Sequence, residues 1–320
     1  MKTLLQRVIQ DKETNLYPVW LMRQAGRYMP EYMAMKQQSD GFLDMALTPW
    51  KAAEITMQPI NAFDMDAAII FSDILVINYA LGQELDYTPS PVLGPYKESF
   101  FDTPLDQFSE RCEPVYEAIR KVRKELNDSK SLIGFAAAPW TLCKYMCHGK
   151  HKLDVVQKLI PYIINHLLQQ IEAGCDTIQI FDSHAGDISN EDFQEFIIDP
   201  TKSIVDAIRA NYPEVCIIAF PRLVGPLIND YIEQVNPDAI NISDDLPIDE
   251  INGEVIQGGI SVKRLIKGED ITPVLEKMKD KPYIVNLAHG IDKTTPVENV
   301  KNFVNTVKDF RNRFPIINAV

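Results

Sequence analysis

The chain has 320 residues, with 32 Lys and Arg against 45 Asp and Glu, for a net charge of −13. With 46% hydrophobic and 24% charged residues it has the balance of a soluble globular protein, long enough to bury a sizeable core. The acidity argues against general nucleic-acid binding, which needs a basic stripe, and against docking on an anionic membrane surface.

Five cysteines (Cys112, Cys143, Cys147, Cys175 and Cys216) are too few, and an odd number, for a disulfide framework. A reducing, cytoplasmic setting is expected. Met1 to Lys12 mixes charges with short apolar runs and lacks a signal-peptide core. No stretch reaches the roughly 18–20 apolar residues of a membrane span. Even Ile217–Ile228 is broken by Pro221, Arg222 and Pro226.

Eight apolar runs read as strands: Val19–Met22, Ala67–Phe71, Leu132–Ala136, Thr177–Phe181, Val215–Phe220, Ala239–Ile242, Val255–Gln257 and Ile284–Leu287. They are apolar at consecutive positions, as strands buried on both faces are. Helical patterns alternate with them, which predicts parallel βα units. Thr48–Pro49, Thr272–Pro273 and Thr295–Pro296 each offer a Thr cap followed by Pro, and Glu298 completes a capping box with Thr295. Behind it Val297, Val300, Val304, Val307 and Phe310 form an apolar stripe suited to core packing. Leu81 to Lys130 is long for one crossover. Pro89, Pro91, Pro95 and Pro104 make it irregular before a charged helix near Glu110–Leu126, so it is a cover for the mouth or a partner contact. A closed (β/α)8 TIM barrel and an open doubly wound sheet both fit. The count of strands favours the barrel, as one α/β domain over residues 1–320, and no Gly-x-Gly-x-x-Gly follows an early strand.

In such a barrel the site lies where the strands end. Arg23-Gln24-Ala25-Gly26-Arg27 follows the first run, Ser72-Asp73 the second, and Ala138-Pro139-Trp140-Thr141 with Tyr145 the third. Asp182-Ser183-His184, Pro221-Arg222, Ser243-Asp244-Asp245, Gly258-Gly259 and His289-Gly290 follow the others. Arg23 and Arg27 flank a glycine and are suited to clamping carboxylates or phosphates, unless they form structural ion pairs. Asp73 is placed to act as a base, a cation stabiliser or a metal ligand, unless it caps the next helix. Ser183 and His184 are neighbours that point apart when extended, which speaks against a nucleophile–base pair. Cys143, Cys147, His148 and His151 lack the common zinc spacings.

Pro18-Val19-Trp20-Leu21-Met22-Arg23-Gln24-Ala25-Gly26-Arg27-Tyr28 resembles a signature of the uroporphyrinogen decarboxylase family. Gly134-Phe135-Ala136-Ala137-Ala138-Pro139-Trp140-Thr141-Leu142 with Tyr145 resembles a second. Phe71–Leu75, Phe181–Gly186 and His289-Gly290 match further family segments in order. The resemblance implies a (β/α)8 barrel, a homodimer, no cofactor and no metal. It implies a tetrapyrrole substrate, uroporphyrinogen III, which loses four acetate carboxyls to give coproporphyrinogen III in haem biosynthesis. Carried over by position, Arg23, Gln24, Ala25, Gly26, Arg27, Asp73, Tyr145, Ser183 and His289 are expected to contact substrate. Asp73 resembles the central carboxylate that binds the pyrrole N–H groups. Three places depart from the family: Gln257–Val262 where it has Gln-Gly-Asn-Leu-Asp-Pro, Ala288 where it has the first Gly of Gly-His-Gly, and Pro221-Arg222-Leu223 where many members have Pro-Lys-Gly.

The residue types suit that chemistry. Loss of CO₂ leaves a carbanion-like centre, and a pyrrole protonated on carbon is its electron sink. An ionised Asp73 would stabilise the resulting cation through the N–H groups. The arginines would orient the spectator arms. Arginine is a poor acid; His289, which ordinarily titrates near neutrality, is expected to position a side chain of the substrate or to shuttle protons, with Tyr145 the weaker candidate for proton donor. Two rivals remain. Corrinoid-linked methyltransferases resemble this family but bind zinc through His-x-Cys and a later Cys; here there is no His-x-Cys and no Cys after Cys216. A binding protein that keeps the barrel is the other. An eight-carboxylate substrate also demands that the acidity lie outside, with Arg23, Arg27 and Arg222 concentrated at a basic mouth.

Overall fold

The computed structural model describes residues 1–87 and 90–314. Pro89 and the last six residues of the expected domain lie outside the described residues. The apolar runs become β1 (Ala67–Ile69), β4 (Ser131–Ala137), β5 (Thr177–Asp182), β6 (Cys216–Pro221), β7 (Ala239–Ile242), β8 (Ile256–Gly258) and β9 (Tyr283–Ile284). Between the first two lie β2 (Leu85–Asp86) and β3 (Val92–Leu93), an antiparallel hairpin of their own. The other seven form one parallel sheet in the order β1-β4-β5-β6-β7-β8-β9. Each strand lies beside its predecessor in the sheet and helices fill the crossovers, so the sheet curls one way.

The first expected strand, Val19–Met22, is not one. It makes a single parallel bridge, Val19 to Val285. The physical reason is that side-chain amides take its backbone donors. Leu21 N–H donates to Gln24 Oε1 at 3.1 Å and Met22 N–H to Asn286 Oδ1 at 3.1 Å, where a strand would use a neighbouring backbone. Asp66 N–H nevertheless donates to Val19 O at 2.9 Å, so the run lies between β1 and the chain after β9. Its side chains alternate as a strand's do. Val19 and Leu21 join an outer core between sheet and helices, while Trp20 and Met22 join an inner core.

That inner core contains Ile133, Cys216, Ile218, Phe220 and Ile284, with Leu5, Val8 and Ile9 of the helix Leu4–Gln10. A polar belt accompanies it. Trp20 Nε1 donates to Gln257 Oε1 at 2.9 Å, and Gln257 Nε2 donates to Asn241 Oδ1 at 2.9 Å and to Gln179 Oε1 at 3.1 Å. Strands so buried read as continuous apolar runs because both faces meet a core.

Of the expected Thr-Pro starts, one behaves as expected in position. Thr48 precedes Pro49 of the helix Pro49–Phe63, but its hydroxyl donates to Asp44 and not to the helix. Thr272 lies inside the helix Thr272–Lys277. The last helix, Val297–Arg311, starts behind Pro296, so Thr295 and Glu298 form no box and Thr295 is buried instead. The capping box sits at the other end of the chain, between Thr3 and Gln6. Val300, Val304, Val307 and Phe310 are buried as the stripe required. The charged helix spans Leu105–Glu125, starting earlier than its charges suggested.

Candidate active site

Parallel strands share a direction, so the residues that follow them gather at one end. Arg23 stands there in a left-handed conformation, φ 59°, a cost of about 1–3 kcal/mol for a residue with a side chain. The loop around it is tied down. Tyr28 OH donates to Gln24 O at 2.6 Å, and Ile291 N–H donates to Met22 O at 2.9 Å. Gln24, expected on substrate, is 1% exposed. Its amide oxygen accepts from Leu21 N–H and its nitrogen donates to Ala67 O at 3.2 Å. Its side chain therefore holds the loop and has no free end for a ligand. Ala25 and Gly26 are half-buried, and a Cβ on Gly26 would come within 3.3 Å of Arg23 O. Gly290 matters more: a Cβ there would stand 2.4 Å from Arg23 Cδ. Glycine at 290 gives the Arg23 side chain its path.

Asp73 Oδ1 accepts from Leu75 N–H at 2.7 Å, so the carboxylate both closes a turn and faces the mouth region. Part of its surface is open, yet protein surrounds it on most sides. Burial pushes its carboxyl up, opposed by Leu75 N–H, Tyr87 and the Arg23 charge. Tyr87 was not expected from the sequence. It comes from the hairpin segment, packs its ring 4.5 Å from that of Phe42, and brings a buried hydroxyl beside Asp73, near enough to favour the carboxylate but short of hydrogen-bond geometry. Tyr145, in the helix Pro139–Met146, feels both Asp73 and Arg23, and burial holds its phenol protonated. Its ring meets His184 edge-on at 5.3 Å.

His289 lies within range of the Arg23 and Arg222 charges. Burial first, then those two cations, drive its imidazole down to about 4. This lies below the range near neutrality expected of it and favours the neutral imidazole at pH 7. Ser183 is half-buried after β5, and His184 turns to Asp187, Nδ1 to Oδ2 2.7 Å, so the two do not form a nucleophile–base pair. Arg27 is exposed, and its charge acts on Tyr32 and Asp292. Among the described residues, Arg23, Arg27 and Arg222 are the arginines with neither an ion pair nor a side-chain hydrogen bond. The structural ion pair considered for Arg23 and Arg27 is therefore not formed.

Behind the helix Pro139–Met146, Cys143 Sγ meets Lys152 O at 3.5 Å and the His151 ring packs 4.8 Å from Trp140. No group of three His, Cys, Asp or Glu suited to a metal ion occurs among the described residues. On the β6 to β9 side, Arg222, Ser243, Asp244, Ser261, Lys263 and His289 contribute the polar lining of a cavity of about 170 Å³. Lys263 had no sequence signal beyond its charge.

Known proteins resemble this chain. The family profile of uroporphyrinogen decarboxylase (URO-D) matches residues 1–310. A uroporphyrinogen decarboxylase of Rickettsia bellii is 40% identical, the alignment covering 92% of this chain and 96% of that one. The one from Brucella anthropi is 36% identical over 96% of this chain and 99% of its own. Among solved structures, a methyltransferase from Methanosarcina mazei superposes with a TM-score of 0.78 over 97% of this chain and 99% of that chain. At 17% identity that likeness is one of fold alone. Profile and relatives agree over nearly the full length, and the chain belongs to the uroporphyrinogen decarboxylase family.

Proposed function

We propose that this chain removes the four acetate carboxyls of uroporphyrinogen III as CO₂ and yields coproporphyrinogen III, in porphyrin and haem biosynthesis. Family membership supports the reaction. The observation that carries its assignment to residues is that Asp73, Tyr145 and His289 all lie in the field of the Arg23 charge. A pyrrole carbon takes a proton and the ring becomes cationic. The bond from the acetate methylene to its carboxylate breaks, and that electron pair forms an exocyclic double bond and neutralises the ring. A second proton on the methylene carbon makes the methyl group, and the ring proton then leaves. The net change is one proton taken up and one CO₂ released per arm. Pyrrole N–H groups on Asp73 supply the donors that burial removed, so they hold its carboxylate ionised against the developing cation. Arg23 and Arg27 hold spectator carboxylates, Ser183 and the backbone of Ala25 and Gly26 line the mouth, and His289 offers a neutral N–H.

Three finer readings go with this one. A closed (β/α)8 barrel, with Val19–Met22 as the eighth staves' place, is supported by the Val19–Val285 bridge and the Asp66–Val19 hydrogen bond. A cytoplasmic setting is supported by five free, buried cysteines. A homodimer follows from the family resemblance, and sedimentation velocity tests it. The deciding experiment is anaerobic incubation with uroporphyrinogen III and a chelator, then chromatography of the products. Coproporphyrinogen is expected; unchanged substrate overturns the reading.

A further inference from the structure

The three departures from the family pattern come from separate strand ends, after β6, after β8 and after β9. They converge in space. Arg222, Ser261 and Ala288 all line the same cavity of about 170 Å³. Its charge is uneven. Arg222 is half-buried and Lys263 exposed, and neither has an ion-pair partner among the described residues. Asp244, exposed, is the lone carboxylate of the lining, so two positive charges face one negative. Ser261 stands where the family carries an aspartate, which takes one negative charge off the wall. Ser243 is buried, and its Oγ accepts from Leu223 N–H at 3.4 Å, which leaves its hydrogen free to donate.

Two cations without ion-pair partners and two hydroxyls outnumber the one carboxylate of the lining, and a further carboxylate is the complement. The volume has room for one short carboxylate arm. His289 borders the cavity, and its neighbour Gly290 lies against the Arg23 side chain, so the cavity adjoins the mouth where the ring would sit. We propose that this cavity is a subsite that grips one spectator carboxylate arm of the tetrapyrrole, with Lys263 and Arg222 as its anion-binding side chains. As a subsite for an arm of that ring it rests on the tetrapyrrole of the proposed function, but not on the decarboxylation. A carboxylate held between two cations resists leaving as neutral CO₂, so the arm held here is one that stays.

Lys263→Gln, Arg222→Gln and Lys263→Arg test it. The first readout is fluorescence titration with uroporphyrin, the stable oxidised ring with the same arms. Each Gln variant is expected to weaken binding about three- to tenfold and to flatten its salt dependence, and Lys263→Arg to restore it within about twofold. The second readout is turnover: Lys263→Gln should raise KM with kcat within about twofold of wild type. Lys263 is exposed, so its variants fold, and melting temperatures check this. Uroporphyrin binding equal to wild type in Lys263→Gln overturns the subsite whatever the turnover, and so does a wild type that does not bind uroporphyrin. A wild type that binds and shows the variant pattern but releases no CO₂ overturns the decarboxylase reading and leaves the subsite standing.

Discussion

The mouth has two walls built differently. On the Arg23–Asp73 side the polar groups other than the Arg23 guanidinium are committed. Gln24 spends its amide on Leu21 and Ala67, Tyr28 holds Gln24 O, and Asp73 closes a turn on Leu75. On the Arg222–Lys263 side the charged ends are uncommitted and a cavity lies between them. A wall fixed before substrate arrives suits the stabilisation of charge, because no reorganisation is needed as the charge develops. A wall of loose cations suits the holding of arms. The sharpest break of this contrast is Asp73→Asn. Asparagine keeps the oxygen that accepts from Leu75 N–H, so the turn survives. Burial pushes the Asp73 carboxyl up, so the ionised form is a cost to the fold, and the variant's melting temperature should not fall. Its kcat should fall about 10²–10³-fold. Near-normal kcat in a folded variant would remove the central carboxylate from the chemistry.

Gly290→Ala tests whether the committed wall depends on the course of one side chain. The new methyl would stand 2.4 Å from Arg23 Cδ, and Arg23 is exposed enough to swing outward. The expected result is a nearly unchanged melting temperature with kcat/KM about 10–100-fold lower, because a guanidinium displaced by about 1 Å no longer sets the arms. An unchanged kcat/KM would mean that Arg23 does not need its path, and the two walls would differ in appearance only.

The sequence disclosed the strand ends because burial on both faces leaves apolar runs that any reader can see, and the polar residue after each run marks the mouth. It hid what depends on backbone donors meeting side chains. Val19–Met22 reads as a strand, and only the reach of Gln24 and Asn286 to its amides makes it a single bridge. The role of Gly290 was hidden because the contact is with a residue at the other end of the chain. Tyr87 was hidden because a short hairpin among prolines carries no period, and its partner Asp73 is packed against it from another segment. Tyr87→Phe measures what was missed. It removes a hydroxyl that favours the Asp73 carboxylate, and a loss of about three- to tenfold in kcat is expected, with KM little changed. No change would confine the committed wall to Arg23 and Asp73.

The smallest expected effect falls where the two walls meet. His289 borders the cavity and feels Arg23, and its imidazole is held down to about 4 by burial and two cations. A histidine depressed in the folded chain gains its proton more readily when unfolded. Its neutral state therefore supports the fold fully above an unfolded value of about 6.5, and that support is lost as pH falls from there towards the folded value. Between about pH 5 and 8 the folded site has no ionisation at this position. Since kcat/KM reports the free enzyme, its pH profile over that range should be the same in wild type and in His289→Asn. Asparagine keeps an N–H donor, so the level of kcat/KM should drop only about three- to tenfold. A limb near neutrality in the wild type that disappears in the variant would show that the imidazole carries a proton in the free enzyme. It would then belong to the reacting wall, and the division between a wall for chemistry and a wall for grip would have to be redrawn through His289.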